Sequence, residues 1–552
     1  MKNSVFLLLM IALMLGCLED HTNLDYREIN DYSDWSINGM QVSYSLFPGE
    51  SVTLTPTVRL SRDTLNPAVT SSWLLDGEVV SQEVSYTFVA DEKGSHELVY
   101  VATDPKTGVS FPKRVDIVVS PYNHLGWLFL SRTSAGKSHL SMVVAKRQQV
   151  PYWTKYGTRY RDSLVYVDFA TDLATDVLGE QPIRLMEEYP YPGDVEPEEK
   201  SEILILQKSG LVELGESELT YTGSPLNEFA GEVPSAKIKD AAVSFTSKWL
   251  LFEDGQLYFS VANVLSDLHS GRFGSDPAFN GKKFKQLVEV MKCSDYPLPY
   301  FPVIDEEQTM WLIVDDADPK NGVEGDIINP LNYVGTLVPL RNDPQKPVDI
   351  TLFKNFDGEY VQHLYVPKKD FLFSLLKRNG QYYWHRYNFN FPYTFKPQYA
   401  IDGVTVSEST LGKLSGELFS DFKDAAFAKF QNESYSNCEW LLIASGNNLY
   451  AMSMNWKDTE KQNYQKIKEF SSEIAFIQIR CFSYLNYIHV GVLLEDGVFH
   501  VFELHRDEKA DSFETKEVYK QNIKQLDADI HEVVDMIHKY GNGANRFYGF
   551  VN

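Results

Sequence analysis

Two histidines and an aspartate near the end of the chain have the spacing of a metal site. If residues 530–540 form a helix, His531, Asp535 and His538 fall at positions i, i+4 and i+7 and share one face. Three convergent ligands of this kind can hold a zinc ion. The segment reads His-Glu-x-x-Asp, however, so the metalloprotease signature lacks its last histidine. Because the opposite face is apolar, an ordinary amphipathic helix is the interpretation we adopt.

A second group of oxygen ligands lies in the acidic stretch 315–326, where Asp316, Asp318 and Asn321 are the candidate calcium ligands. Calcium takes six to eight oxygens, which such a loop could supply. The spacing is one residue away from that of an EF-hand loop. We therefore interpret the stretch as an acidic turn, and we predict neither a bound metal nor another cofactor.

Aromatic side chains are the best candidates for binding a ligand, because rigid amphipathic rings stack on sugars and grip peptides at small entropic cost. The alternative is that the same rings pack between structural elements. The candidate residues are Tyr152, Trp153, Tyr156, Tyr160, Tyr296, Tyr300 and Trp384. The sequence contains no Gly-x-Ser-x-Gly elbow and no phosphate-binding glycine loop, so we predict no catalytic residues.

The elements that position these residues are short hairpins with Asp-Gly or Asn-Gly turns, which supply the positive φ of a tight turn. Clear hairpins occur at residues 203–214, 249–259, 371–384, 440–450 and 490–499, and similar apolar runs begin at Trp127 and Met310. A repeat of roughly 45 to 65 residues, each a small antiparallel sheet, predicts a β-propeller of about seven blades. Unrelated hairpins in a β-sandwich or a solenoid are the alternative.

Three stretches interrupt this pattern with helical spacing, and we predict inserted helices at residues 282–291, 418–430 and 530–540. The chain ends in a strand-like segment, 546–552. We expect this segment to pair with the strand that begins at Trp127, which would close the ring and remove both sheet edges.

Composition excludes some partners. The 552 residues carry 51 Lys and Arg against 76 Asp and Glu, a formal charge of −25. Nucleic acid and anionic lipid surfaces both need basic residues, so neither is an expected partner. The spacing of the four cysteines fits no zinc pattern. Cys438 and Cys481 could form a disulfide, although buried free thiols are the interpretation we adopt.

The N-terminus predicts export and lipid anchoring. A basic residue, an apolar run and Gly16-Cys17 resemble a bacterial lipoprotein signal, with residues 1–16 removed and Cys17 lipidated. An ordinary secretory signal is the alternative. Glu19 and Asp20 resemble the signal that sends lipoproteins to the outer face of the outer membrane, where lipid alone would hold the chain.

Domain organisation follows from the same patterns. Residues 17–38 are polar and form a tether. Residues 39–120 contain about seven short strands around Trp73, typical of an immunoglobulin-like sandwich with a buried Trp and no disulfide. Residues 121–552 form the propeller, so the predicted fold class is all-β throughout.

Several segments resemble the PKD-like family of surface lipoproteins. They are residues 23–30, the turn from Trp73 to Gly77, the strand 101–104 and the segment 126–131. The resemblance implies a position beside Sus-type TonB-dependent transporters and their SusD-like lids. It further implies an accessory role in capturing peptides or glycans at the cell surface, without catalytic residues.

Two functions therefore compete. The first is a surface lipoprotein that binds ligand, docks on a SusC/SusD-like transporter, or does both. The second is a propeller hydrolase of glycans or peptides, which would need acids converging in the central funnel. A purely structural subunit of the transporter complex is a third possibility.

Overall fold

A computed structural model describes residues 29–30, 34–65, 67–154, 157–188, 202–243, 247–261, 269, 271–288, 300–314, 335–366, 371–390, 398–430, 439–453, 463–480, 487–507 and 510–539. The chain divides into two compact units, Met1–Val119 and Ser120–Asn552. Within the described ranges, no helix has both the length and the apolar character needed to cross a bilayer.

The first unit consists of β-strands alone in its described part. A five-stranded sheet has the order β2-β9-β8-β5-β6, and two further pairs are β1-β4 and β3-β7. The strands are β1 Ser36–Asn38, β2 Ser43–Leu46, β3 Ser51–Leu54, β4 Thr57–Arg59, β5 Thr70–Leu75, β6 Glu78–Ser81, β7 Tyr86–Val89, β8 Gly94–Thr103 and β9 Ser110–Val119.

Trp73 lies at the centre of this unit, as the sequence predicts. Its side chain is fully buried, its indole N–H donates to the Glu83 carbonyl at 3.0 Å, and its ring lies 4.8 Å from that of Tyr100. Alternate residues of β8 and β9 point into the same core, including Leu98 and Val115. The hydrogen bond gives the indole nitrogen a partner, so the whole side chain can be buried without a polar penalty.

The second unit is a succession of small antiparallel sheets, and its described strands form seven blades. From the innermost strand outward, blade 1 is β36-β10-β11-β12. Blades 2 to 7 are β13–β16, β17–β19, β20–β23, β24–β27, β28–β31 and β32–β35, and the first strand of each is the innermost. The strands are β10 Gly126–Arg132, β11 Ser138–Thr154, β12 Gly157–Ala170, β13 Pro182–Glu188, β14 Glu202–Gln207, β15 Gly210–Gly215, β16 Tyr221–Gly223, β17 Ile238–Val243, β18 Ser247–Phe252, β19 Leu257–Val261, β20 Phe284–Leu287, β21 Tyr300–Asp305, β22 Met310–Val314, β23 Leu337–Asn342, β24 Glu359–Val366, β25 Phe371–Arg378, β26 Gln381–Phe389, β27 Val404–Lys413, β28 Phe422–Lys429, β29 Glu439–Ser445, β30 Asn448–Ser453, β31 Tyr464–Glu469, β32 Ile474–Arg480, β33 Tyr487–Leu494, β34 Val498–Asp507, β35 Ser512–Asn522 and β36 Glu532–Lys539.

Helical structure in the described part of this unit is limited to single turns. Two α-helical turns are α1 Tyr399–Asp402 and α2 Ile523–Leu526, and 3₁₀ turns lie at Pro225–Glu228, Ala278–Gly281 and Thr351–Phe353. Blades 4 and 5 also share one continuous sheet, because their outer strands β23 and β27 pair in parallel. The all-β propeller predicted from the sequence is confirmed.

Local sequence explains the hairpins and the apolar runs. Asn379 and Gly380 both have positive φ, 52° and 75°, as the two central residues of a type I′ turn require. The second strand of a blade has a neighbouring blade on each face. All six residues of β14, all six of β18 and all eight of β33 are therefore buried, which is why most residues of these strands are apolar.

The ring is closed by β36, which pairs antiparallel with β10 from Gly126↔Lys539 to Arg132↔Glu532. Closure by a C-terminal strand was predicted, but the strand is Glu532–Lys539, and the segment 546–552 lies outside the described residues. Consecutive innermost strands contact one another from β32 to β36 and from β36 to β13. One blade thus combines strands from both ends of the unit, a closure that leaves the ring without a free sheet edge at this point.

The three predicted helices are wrong wherever the structure describes them. Residues 530–540 contain β36, residues 418–430 contain β28, and residues 282–291 contain β20. Each of these strands is the innermost of its blade and carries a β-bulge near its start. The extra residue of a bulge places side chains of one face three positions apart instead of two, and this spacing resembles that of a helix.

Candidate functional site

The residues singled out from the sequence do not form one site among the described residues. Trp384 and Tyr300 are each 2 % exposed. Trp384 stacks on Phe373, and a Cβ at Gly412 would lie 2.1 Å from its ring. These two positions are therefore core residues rather than ligand contacts, whereas Tyr160 on β12 is exposed.

Other candidate positions lie outside the described residues. They are Cys17, Tyr156, Tyr296, Asp316, Asp318 and Asn321, with Cys293, Cys438 and Cys481. The backbone of Tyr152 and Trp153 belongs to β11, but their side chains are likewise outside the description.

The helix face weighed as a metal site in residues 530–540 does not form, because Glu532–Lys539 is a strand. His538 is buried, with its ring 4.6 Å from that of Trp127 and perpendicular to it. His531 is exposed and precedes the strand. Asp535 instead joins a feature that repeats around the whole unit.

Every described innermost strand has a β-bulge of one residue, and the side chain after the bulge takes an equivalent position in each blade. We call these seven side chains the bulge ring. Its members, from blade 1 to blade 7, are Asp535, Arg184, Asp240, Gln286, Gln362, Asp424 and Phe476.

Three aspartates of the bulge ring make the same pair of hydrogen bonds. In Asp535, Oδ1 accepts the N–H of the following residue and Oδ2 accepts the N–H of Leu185 in blade 2 at 2.8 Å. Asp424 repeats the arrangement, with Oδ2 accepting the N–H of Ile477 in blade 7 at 3.0 Å. Asp240 does so toward blade 4 with a longer bond of 3.4 Å. Each carboxylate therefore bridges its own strand to the innermost strand of the next blade.

Two longer members of the ring make the corresponding connection. Arg184 of blade 2 donates to the Ala241 carbonyl and forms an ion pair with Asp240 of blade 3 at 2.9 Å. Gln362 of blade 5 exchanges two hydrogen bonds with the backbone of Ala425 in blade 6. A sequence signal for this ring exists, because Lys-Asp-Ala-Ala occurs at both 239–242 and 423–426, but hairpin periodicity alone misses it.

Asp424 is a ring aspartate whose charge is strongly affected by its surroundings. Burial raises the pKa of Asp424 to about 6, and the charge of Asp535 acts in the same direction. The backbone N–H groups of Ile477 and Ala425 oppose this shift because they favour the carboxylate form. The Asp424 carboxylate is therefore stabilised mainly by its backbone donors.

A second polar group lies between blades 2 and 3. We call it the interblade cluster; it consists of Glu202 on β14, Glu213 on β15, Glu228 at the end of a 3₁₀ turn, Lys248 on β18, and His269. The Lys248 ammonium donates to Glu213 at 2.7 Å and to Glu228 at 3.3 Å. The His269 ring lies 3.0 Å from Glu202 and 2.7 Å from Glu228.

The cluster is strongly charged and largely removed from water. Four of its members are buried, and the His269 side chain is 38 % exposed. Burial raises the pKa of Glu213, while the Lys248 ammonium favours the carboxylate form. Hydrogen bonds to Glu202 and then Glu228 raise the pKa of His269 to about 10, against its partial burial.

The cluster also has the composition of a metal centre. One ligand atom each from Glu202, Glu213 and His269 lie within 4.8 Å of one another. No local sequence motif predicts this group, because its members are spread over 68 residues of chain, from 202 to 269. The packing of two blades brings them together.

A cleft of about 320 Å³ opens between the β14–β15 turn and the segment leading to β17. Lys208, Ser209, Lys237 and Glu180 supply polar groups at its wall. The apolar lining residues are Leu226, Val233, Pro234, Ala236, Ile238 and Phe252. This size is at the lower end of the range for small-molecule sites, about 300 to 1,000 Å³.

Replacing Asp424 with alanine should lower the free energy of unfolding by about 2 kcal/mol, because the buried N–H of Ile477 loses its acceptor. Urea denaturation of the full chain measures this loss. Asp402→Ala, at an exposed position, is the matched control and should change the free energy by less than about 0.5 kcal/mol. Equal effects of the two substitutions would contradict the bridging role of the ring.

The His269 charge should make stability depend on pH. Because its folded pKa, about 10, lies above the ordinary value of 6.5, its contribution is fully present below pH 6.5 and is lost as pH rises toward 10. In EDTA, His269→Gln should therefore flatten the fall in unfolding free energy over this window, relative to the unchanged chain. His531→Gln, at an exposed histidine, is the control. If the unfolding free energy of His269→Gln falls with pH as steeply as that of the unchanged chain, the assignment of this pH dependence to His269 is wrong.

Comparison with known proteins identifies a family domain in the N-terminal part of the chain. The model of the PKD-like family matches residues 17–172. The match covers the first unit and continues through β10, β11 and β12 of blade 1. No match to a curated protein sequence was found.

Solved structures similar to the chain have low identity and low TM-scores. A quinonprotein alcohol dehydrogenase-like protein from Bacteroides thetaiotaomicron is 12 % identical, with a TM-score of 0.33 over 88 % of this chain and 95 % of its own. Kluyveromyces lactis Hsv2 is 8 % identical, with a TM-score of 0.32 over 72 % and 99 %. Chaetomium thermophilum Sqt1, solved with the N-terminus of ribosomal protein L10, is 13 % identical, with a TM-score of 0.34 over 64 % and 77 %.

Scores of this size establish neither a shared activity nor a shared ligand. The firm assignment is the one made by the family model: residues 17–172 carry a PKD-like family domain.

Proposed function

We propose that the protein is a cell-surface lipoprotein of the outer membrane that acts by binding rather than catalysis. In this proposal Cys17 carries the lipid, and the propeller is an accessory subunit of a SusC/SusD-like uptake complex for peptides or glycans. Rigid scaffolds with exposed turns suit such a role, because the scaffold holds the binding surface still.

The main observation behind the proposal is that the acids of the bulge ring bind backbone N–H groups of the next blade. A hydrolase of the propeller type would need acids free to reach a substrate in the funnel. Asp240, Asp424 and Asp535 each have both carboxylate oxygens engaged by backbone N–H groups. This arrangement supports a scaffolding role for the acids on the innermost strands.

A surface location is supported by the family match. The PKD-like model begins at Cys17, the residue predicted to become the mature N-terminus, and it continues to residue 172. The resemblance to surface lipoproteins in the sequence therefore extends from the proposed lipid anchor into the first blade.

The cleft supports a peptide ligand more than a sugar. Among its described lining residues there is no Trp or Tyr, and Phe252 is almost wholly buried, so no ring is presented for stacking on a sugar. Lys208 and Lys237 are exposed and can pair with carboxylates. A cleft of about 320 Å³ accommodates a short segment of two or three residues rather than a folded partner.

A hydrolase of glycans or peptides remains the second candidate, and the interblade cluster is the observation that favours it, because three carboxylates lie around one histidine and one lysine. Glu202, Glu213, Glu228 and Lys248 are all buried, however. Of these five described residues, only His269 has a substantially exposed side chain, and the burial of the acids weighs against their direct contact with a substrate.

Anchor and partners can be tested in one experiment on native cells. The unchanged chain should incorporate an alkyne analogue of palmitate and should co-purify from solubilised membranes with a TonB-dependent transporter and a SusD-like lid. Cys17→Ser should lose the label and the partners, because the lipid holds the protein at the membrane. Cys293→Ser is the matched control.

Mass spectrometry of the purified material distinguishes the outcomes. Labelling of Cys17→Ser would refute the anchor. Recovery of neither transporter nor lid with the labelled chain would refute the uptake role.

The cleft predicts a charge-dependent peptide affinity. In a pool of tryptic casein peptides, the unchanged protein should retain short peptides, and Lys208→Glu with Lys237→Glu should weaken their binding by about tenfold or more, since two favourable charges become repulsive. Isothermal titration with a retained peptide gives the affinity.

The control for this pair is Lys346→Glu with Lys354→Glu, which makes the same charge change at exposed lysines away from the cleft. Equal loss in both double variants would show a general charge effect and exclude the cleft as the binding site. Failure to retain any peptide would do the same for the peptide assignment.

A further inference from the structure

We propose that the interblade cluster is a binding site for one divalent transition-metal ion, best matched by zinc, with Glu202, Glu213 and His269 as the protein ligands. The site is separate from the cleft and does not depend on the proposed function.

The three ligand groups already converge. One ligand atom from each of Glu202, Glu213 and His269 lies within 4.8 Å of the other two. Two ligands of a tetrahedral zinc ion lie about 3.4 Å apart when each is about 2.1 Å from the metal. Small side-chain adjustments are therefore enough to place an ion among them.

Charge balance favours a bound cation. Among the described residues, three buried carboxylates face two side-chain cations, the Lys248 ammonium and the protonated His269 ring, so one negative charge is in excess. Buried charges are stable only when they are paired. With the imidazole as a neutral ligand, one divalent ion would bring the formal charge of the three glutamates, Lys248 and the ion to zero. Lys248 occupies Oε1 of Glu213 and so leaves the other oxygen of that carboxylate for the metal.

Unsatisfied buried oxygens point to the same place. The Oε2 atoms of Glu202, Glu213 and Glu228 are buried without a hydrogen-bond partner. An independent group outside the acids is Ser260, which is 1 % exposed and whose hydroxyl likewise has no partner. Buried polar atoms without partners are rare in folded proteins and call for an explanation such as an ion or its water.

Ser260 lies on the cluster's side of the sheet. It pairs directly with Lys248 across β18 and β19, and directly paired residues in an antiparallel sheet project to the same face. A Cβ at Gly271, two residues after His269, would approach the Ser260 hydroxyl to 2.3 Å. The hydroxyl is therefore next to the segment that carries His269, where it can bond a water bound to the metal.

Small residues leave space around the proposed ligands. A Cβ at Gly223 would lie 3.2 Å from Oε2 of Glu213 and 3.6 Å from Cε1 of His269. The glycine thus allows the β16 backbone to approach both ligands closely. A larger residue at this position would press on the oxygen that we assign to the metal.

The donor set selects the type of ion. An imidazole with two carboxylates is typical of zinc and its neighbours, whereas calcium prefers six to eight oxygens. Three protein ligands leave one position for water, and the partial exposure of His269 gives the ion a route to it. The ligands come from blade 2 and from the segment after β19, so the ion would join blade 2 to blade 3 and stabilise the folded chain.

The test is zinc binding by the full chain after treatment with EDTA. Elemental analysis after dialysis against micromolar zinc should find one ion that depends on the cluster, and competition with a chromogenic chelator gives its affinity. Glu202→Gln and His269→Gln should each lower the affinity by more than about tenfold, because each removes a ligand. His269→Cys, which restores a ligand atom, should retain the ion.

The matched control is Glu503→Gln. Glu503 is also a largely buried glutamate that bonds a histidine, His505, and a lysine, Lys516, but it belongs to no three-ligand group among the described residues. Its substitution should leave zinc binding unchanged.

Three results would overturn the proposal: no bound zinc, binding that is unchanged in His269→Gln, or calcium binding of equal strength. Circular dichroism of each variant separates loss of the ion from loss of the fold. The anomalous signal of zinc in a crystal would locate the ion directly.

Discussion

The constraint on which the second unit depends is the attachment of each innermost strand to the next. Innermost strands of neighbouring blades contact one another, as β36 does with β13 and β28 with β32. Each described innermost strand has a bulge one residue before its ring side chain. At Asp535, Asp240 and Asp424 that side chain accepts an N–H from the following blade. A bulge interrupts the regular alternation of side chains along a strand. Here the side chain after the bulge makes the hydrogen bond to the next blade.

Much of this architecture could be predicted from local sequence. Hairpin turns such as Asn379-Gly380 have a conformation that few other residue pairs adopt, so they are recognisable without a structure. The doubly buried strands β14, β18 and β33 are mostly apolar because each lies between two blades, and their recurrence indicates the ring. Trp73 likewise identifies the core of the first unit, because a large ring on a short strand is stable when it is buried against the opposite sheet.

The wrong helix predictions have one physical origin. In β36 the bulge lies between Glu532 and Asp535, so polar residues stand three apart and a strand has the spacing of a helix. The same displacement affects β28, where Lys423 is the extra residue before Asp424. The interblade cluster could not be predicted for another reason. Glu202, Lys248 and His269 are brought together by the packing of two blades, and nothing in the sequence around each one marks it as part of a group.

Polar groups in this chain therefore divide by location. On the innermost strands, both carboxylate oxygens of Asp240, Asp424 and Asp535 accept backbone N–H groups. Between blades 2 and 3, carboxylates outnumber the cations that face them and keep oxygens without partners. At the turns, exposed lysines such as Lys208 and Lys237 border an apolar cleft. The innermost strands thus use their acids to join blades, whereas the seam between blades 2 and 3 holds acids with unpartnered oxygens and the cleft presents exposed lysines.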